Sequence, residues 1–191
     1  MMKRNNFPFS AVLGLNHAKT AILIVLVNPR AGGLLISGPR GIGKSTLMRS
    51  TQELIERPWR DIPVSVTEDR LFGTIDTEKA IYSGQKKLYP GIINEADQGV
   101  LYLDDANLLR EDLLDFILNI AEVGAYQLER DGLSLRCDTS FTLIAAINPE
   151  SGMLSGACLD QFGLFVNVDN IHDENTRVEI CLLYTSDAAD E

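Results

Sequence analysis

Gly32-Gly-Leu-Leu-Ile-Ser-Gly38-Pro-Arg-Gly-Ile-Gly-Lys44-Ser-Thr46 is the most informative run in this 191-residue chain. Its opening, Gly33 to Ser37, is a short apolar run bounded by glycines, which predicts a buried strand. The continuation, Gly38 to Ser45, matches G-x-x-x-x-G-K-[ST] at every fixed position. Glycines at these places let the backbone curl so that its N–H groups point inward and form an anion nest. The helix expected to follow adds its positive N-terminal end. Lys44 supplies a point charge for β- and γ-phosphates, and the Ser45 hydroxyl is a ligand for Mg²⁺. The candidate cradle is Gly38, Pro39, Arg40, Gly41, Ile42, Gly43, Lys44, Ser45 and Thr46, with ATP and Mg²⁺ as the implied ligands. Arg40 reads as a solvated side chain within the loop.

Alternating element types surround this run. Ala18 to Val27 predicts a buried helix that stops at Asn28-Pro29. Lys44 to Glu56 predicts a helix ended by Pro58, Ile62 to Val66 a strand, and Asp76 to Ser83 a helix. Val100 to Leu103 is an apolar strand. Arg110 to Val123 carries Leu113, Leu114, Ile117, Leu118 and Ala121 at the spacing of an amphipathic helix. Tyr126 to Arg136 alternates about Asp131-Gly132, a strong hairpin signal. Phe141 to Ile147 and Leu164 to Val168 complete five strands. Apolar strands separated by helices imply an α/β fold: a five-stranded, mostly parallel sheet with helices on both faces, plus a β-hairpin insertion.

Val100 to Leu103 runs directly into Asp104-Asp105. A carboxylate at the carboxyl edge of a strand faces the same crevice as the loop after the first strand. Asp104 would hold Mg²⁺, directly or through water, and Asp105 would orient the attacking water. Asn148 follows the strand Phe141 to Ile147. Its amide could position water near the γ-phosphate, or serve the turn that Asn-Pro commonly starts; both readings stand at this level.

The formal net charge is −10. An acidic chain is a poor polyanion binder, since nucleic-acid affinity rests on neutralising phosphates with Lys and Arg, so a nucleic-acid partner is not expected. Three widely spaced cysteines, Cys137, Cys158 and Cys181, fit neither a disulfide framework nor a zinc site, and point to a reducing, cytoplasmic setting. His17 and His172 lack metal-ligand spacing. The longest apolar run, Ala21 to Val27, is far too short to span a bilayer. Trp59, after Pro58, reads as a packed surface aromatic.

Taken in order, FPFSAVLGLNHAKTAI (7–22), GGLLISGPRGIGKST (32–46), VTEDRLFGTIDTEKAI (66–81), LYPGIINEADQGVLYLDDANLL (88–109), FTLIAAINPESG (141–152) and LDQFG (159–163) resemble the AAA+ motor subunits of magnesium chelatase and their relatives. The resemblance covers roughly residues 7–180. It implies a P-loop core whose sensor strand lies between the phosphate-loop strand and the Asp104 strand. It also implies a ring, usually of six subunits, with ATP bound between neighbours. In the chelatase that ring serves a separate, larger catalytic subunit that inserts Mg²⁺ into protoporphyrin IX. Val12-Leu13-Gly14 would line the adenine pocket, Asn148 would be sensor 1, and the 126–136 hairpin and 67–73 region would be either insertions facing the pore or partners or a simple edge hairpin and loop. Arg130, on the hairpin, is separately a candidate contact between subunits.

Three departures bear on hydrolysis. The family usually has Glu where this chain has Asp105; the shorter side chain withdraws the carboxylate by about an ångström, a displacement that can cost about a hundredfold in rate. The family reads Leu-Asp-Arg-Phe-Gly, its arginine reaching into the neighbouring site, where this chain has Gln161. The helical lid that should follow residue 180 is not recognisable, and residues 181–191 read as a non-native tail or an exposed terminus. The expected domain is thus an AAA+ core over 7–180. Three functions remain in play: a chelatase-type ATPase motor, a weakly hydrolysing scaffold in a mixed ring that borrows a partner's arginine, and a remodeller of another protein client.

Overall fold

The computed structural model describes residues 8–75, 88–130 and 133–170, with residue 178. In chain order the elements are α1 (Asn16–Val27), β1 (Leu34–Ser37), α2 (Lys44–Gln52), β2 (Trp59–Ile62), α3 (Glu68–Phe72), β3 (Gly73–Ile75), β4 (Leu88–Pro90), α4 (Ile92–Glu95), β5 (Val100–Leu103), α5 (Glu111–Val123), β6 (Ala125–Arg130), β7 (Leu133–Asp138), β8 (Thr142–Ile147), α6 (Gly156–Leu159) and β9 (Leu164–Asn167). Five strands form one sheet in the order β2-β5-β8-β1-β9. All four of its pairings are parallel. β8 therefore lies between β1 and β5, as the resemblance implied.

Side chains alternate across this sheet because successive Cβ atoms point to opposite faces. Leu34 and Ile36 of β1 turn toward one face, where Val100, Tyr102, Ile144 and Ala146 join α1 and the apolar side of α2. Leu35 turns the other way, with Leu101, Leu103, Leu143, Ala145 and Ile147, against α3, α4 and α5. Every residue of β1, β5 and β8 is buried, which is why these strands read as continuous apolar runs rather than alternating ones. α5 presents Leu113, Leu114, Ile117, Leu118 and Ile120 to the core.

Several boundaries differ from expectation. The second strand is Trp59–Ile62, not 62–66. Trp59 pairs with Val100 and Ile62 with Leu103, and Pro63, lacking an N–H, ends the ladder. Trp59 is accordingly a core residue, 7% exposed, rather than a surface aromatic. α2 stops at Gln52, four residues early: the Ser50 and Thr51 hydroxyls both donate to the Leu47 carbonyl at 2.8 and 2.7 Å. Such back-bonding competes with the helical ladder, and the chain tightens with Leu54 N–H bonding Thr51 O. The antiparallel pair β3–β4 was not anticipated. The β6–β7 hairpin pairs Arg130 with Leu133, flanking the expected Asp131-Gly132 turn; residues 131–132, the expected 76–83 helix, Cys181, His172, the side chain of Arg130 and the 181–191 tail lie outside the described residues. Among the described residues, Cys137 and Cys158 are buried and free, His17 is exposed, and no helix is long and apolar enough to cross a membrane.

Candidate phosphate and metal site

β1, β8 and β5 end side by side, with Ser37 paired to Ile147 and Leu103 to Ala145. The segments leaving their carboxyl ends carry, respectively, the Gly38–Gly43 loop, Asn148, and Asp104-Asp105. Parallel neighbouring strands alone bring three distant stretches of sequence to one crevice.

The loop departs from Gly38, whose N–H donates to Ile147 O at 3.2 Å. It turns at Gly41 and Gly43, with φ of 81° and 90°, a region where a Cβ is strained. Gly43 is the N-cap of α2, so Lys44, Ser45 and Thr46 occupy its first turn, where backbone N–H groups have no acceptor within the helix. Pro39 and Ile42 are partly buried and Arg40 and Gly41 exposed. Lys44 is buried, and its ammonium donates to the Gly38 and Pro39 carbonyls at 2.6 and 2.8 Å. Burial lowers its pKa from the ordinary lysine value; the charges of Asp105, Asp104 and Glu150 oppose that shift, and Arg40 adds to it.

Across the crevice, Ser45 Oγ donates to Asp104 Oδ2 at 3.0 Å, a contact spanning 59 positions of sequence. Tyr102 donates its hydroxyl to the other oxygen, Oδ1, also at 3.0 Å. Both oxygens of Asp104 are thus held, and the carboxylate has one orientation. Burial, and then the Asp104 charge, push the Tyr102 phenol well above its usual pKa, so it stays a donor. Tyr102 was missed in the sequence; it stands two residues before Asp104, hence on the same strand face. A cavity of about 400 Å³ borders Ser45, Tyr102 and Asp104 and extends toward Arg49, Trp59 and Asp61. Two hard oxygens 3.0 Å apart, Ser45 Oγ and Asp104 Oδ2, suit Mg²⁺, which takes few protein ligands and keeps several waters.

Asp105 follows with left-handed backbone, φ 49° and ψ 48°, a conformation that Asp tolerates better than most residues. Its charge reaches Lys44. Asn148 is 1% exposed, but its amide is committed to its own turn: Oδ1 accepts from Glu150 N–H at 3.2 Å and Nδ2 donates to Ser151 Oγ at 3.1 Å. The turn reading of Asn-Pro is therefore what the hydrogen bonds display, and among the described residues the Asn148 side chain makes no bond to Lys44, Ser45, Asp104 or Asp105. The turn brings in Glu150, a second residue not anticipated. Gln161 is exposed, with Nε2 donating back to Ala157 O at 3.4 Å. Val12 packs in the same cluster as Leu47 and Met48 of α2, beside the loop.

A family model for the AAA domain of the dynein-related subfamily matches residues 33–161. The chain is 37% identical to the magnesium-chelatase 38 kDa subunit of Cereibacter sphaeroides, over 91% of this chain and 62% of that protein. It is 35% identical to the magnesium-chelatase subunit ChlI of Cyanophora paradoxa, over 94% and 64%, and 34% identical to a ChlI homolog of Methanocaldococcus jannaschii, over 94% and 60%. A chain in the cryo-EM-based structure of the complex between subunits BchI and BchD of magnesium chelatase superposes with a TM-score of 0.80 at 37% identity, covering 93% of this chain and 66% of that one. The chain thus spans about three fifths of the length of the curated relatives it matches.

Proposed function

Because the chain belongs to the AAA domain family, in its dynein-related subfamily, we propose that it is the Mg-ATP-binding core of an AAA+ motor that couples nucleotide turnover to remodelling of a partner. The observation that carries this is the meeting of Ser45 with Asp104 directly beneath a glycine-turned loop and a buried lysine. Gly38 to Thr46 cradle the phosphates. Lys44 offsets their charge, Ser45 and Asp104 hold the cation, and Tyr102 keeps Asp104 in register. Mg²⁺, when bound, neutralises charge building on the transferring phosphoryl group. Asp105 orients the attacking water, while Asn148 acts as sensor 1 through the turn it caps. From the likeness to relatives named magnesium-chelatase subunits, the client we infer is a larger catalytic subunit that receives the work of a cytoplasmic ring, usually of six, and loads metal into a tetrapyrrole.

The test compares ATP affinity with excess Mg²⁺ and with EDTA, in wild type and in Asp104→Ala. Wild type should bind more tightly with the metal, and the variant should lose that dependence; a full metal effect in Asp104→Ala would remove the site assignment.

Gln161 favours a second reading, that of a mixed ring in which a partner subunit lends an arginine. Glutamine carries no charge to stabilise the transferring group, a contribution of about 10³ to 10⁵ in rate where an arginine makes it. The chain alone should hydrolyse ATP slowly, and Gln161→Arg should raise steady-state turnover by at least about tenfold, well inside that range. Rapid turnover by the unmodified chain alone would defeat the mixed-ring idea.

A further inference from the structure

Asp104 and Asp105 lead into a single tight turn, closed by Leu108 N–H to Asp105 O at 2.8 Å. Asn107 sits inside that turn. Its amide Nδ2 donates to Asn148 O at 3.2 Å and to Gly152 O at 3.1 Å. Those two carbonyls bracket the short 3-10 turn Pro149–Ser151 that carries Glu150. One NH₂ group therefore uses both of its hydrogens to pin the two ends of a turn that arrives from 41 and 45 positions away.

The other atom of the same amide, Oδ1, is buried and has no hydrogen-bond partner among the described residues. A buried acceptor left without a donor is unfavourable, and an apolar side chain of this size would fill the space without that cost. Packing alone gives no reason for an amide here; two donors aimed at two carbonyls do. The joined turns also share a place. Asp105, on the first, and Glu150, on the second, follow the carboxyl ends of the paired strands β5 and β8, beside the end of β1 from which the Gly38–Gly43 loop departs. Asn148, whose carbonyl is held by Asn107, fixes the Glu150 backbone with its own Oδ1.

We propose that Asn107 is a positioning residue that ties the turn after Asp104 to the Asn148–Gly152 turn, so that Asp105 and Glu150 keep a common register about the terminal phosphate. This rests on the nucleotide reading above. With Asp105 orienting the attacking water as proposed above, the clamp acts where the terminal phosphate would be, so its loss disturbs recognition of a triphosphate and spares that of a diphosphate. Asn107→Asp preserves shape while removing both donors and adding a carboxylate; Asn107→Ser keeps one shorter donor and adds no charge, so it separates the loss of the clamp from charge repulsion.

The experiment titrates fluorescent analogues of Mg-ATPγS and Mg-ADP against wild type and both variants, with melting temperatures taken in parallel. Wild type should prefer ATPγS by tenfold or more. Asn107→Asp should bring the two affinities within twofold of each other, leaving ADP binding as in wild type, and Asn107→Ser should fall between. Should Asn107→Asp melt below the assay temperature, the serine variant makes the same comparison. Retained triphosphate preference in a folded variant, or an equal loss for both nucleotides, overturns the clamp while leaving the site standing. Wild type that binds neither nucleotide overturns the nucleotide reading itself.

Discussion

Lys44→Ala is expected to weaken Mg-ATP binding by about a hundredfold or more. The ammonium stands at the start of α2 and donates to the Gly38 and Pro39 carbonyls, so it is held at the mouth of the loop before any ligand arrives. Charge-assisted hydrogen bonds contribute about 1.5–3 kcal/mol each, and two of them to phosphate oxygens correspond to at least about two decades of affinity. The carboxylates of Asp104, Asp105 and Glu150 all act on Lys44. Without the cation, the crevice repels a triphosphate rather than merely failing to attract it. Stability should move the other way. Burial disfavours the charged form of Lys44, so removing it should leave the melting temperature unchanged or raise it. Calorimetric titration with Mg-ATP and a thermal melt give the two readings together. Unchanged affinity in a folded variant would reject the assignment of the loop.

Gly163→Ala is expected to cost about 3 kcal/mol or more, out of a total domain stability of about 5–15 kcal/mol. A Cβ on Gly163 would lie 1.7 Å from the Ala31 carbonyl oxygen and 2.8 Å from its carbon. Both obstacles are backbone, so no side-chain rotation relieves the overlap. The Gly163 N–H donates to Gly32 O at 2.8 Å, which brings the chain entering β9 against the chain entering β1. Moving one strand entry strips that contact and then the β1–β9 ladder, which runs from Leu34–Leu164 to Ser37–Asn167. Beyond β9, Val168 N–H bonds Ser37 O at 2.8 Å, and a Cβ on Gly38 would lie 2.5 Å from the Val168 carbonyl. A displaced β9 therefore disturbs the phosphate loop, and nucleotide affinity should fall with stability. For a chain of this length about 3 kcal/mol corresponds to roughly 6–12 °C in melting temperature. A melt within about 2 °C of wild type would show that β9 tolerates displacement at this point.

The two variants mark the division between what was legible and what was not. Lys44 was legible because the loop chemistry is local: glycines, lysine and serine at fixed spacing specify a backbone path and a charge without reference to the rest of the molecule. The same holds for β1, β5 and β8, whose apolar runs announce strands buried on both faces, for α5, whose apolar stripe recurs at the helical period, and for the β6–β7 pairing about residues 131–132. Gly163 was not legible. Its φ is unremarkable, and nothing in Leu-Asp-Gln-Phe-Gly indicates that a carbonyl from residue 31 arrives against it. Trp59 and the true bounds of β2 were hidden for a similar reason, since an edge strand buried at only two of four positions has no period of its own. α2 was read too long because the hydroxyls of Ser50 and Thr51 choose between solvent and the Leu47 carbonyl only once the helix is packed.

The residues alone determined an α/β class, a glycine-rich loop with the phosphate-binding pattern after the first strand, and an acidic pair after the strand Val100–Leu103. Each depends on interactions among neighbours in sequence, where spacing and chemistry are sufficient. Tertiary structure decided which distant groups meet: the Ser45 hydroxyl and Tyr102 phenol on the two oxygens of Asp104, Asn107 on the carbonyls flanking Glu150, and Asn148 turned to its own loop. Those contacts are set by parallel strand register and by close backbone approach, quantities that belong to the packed sheet and to no single segment of it.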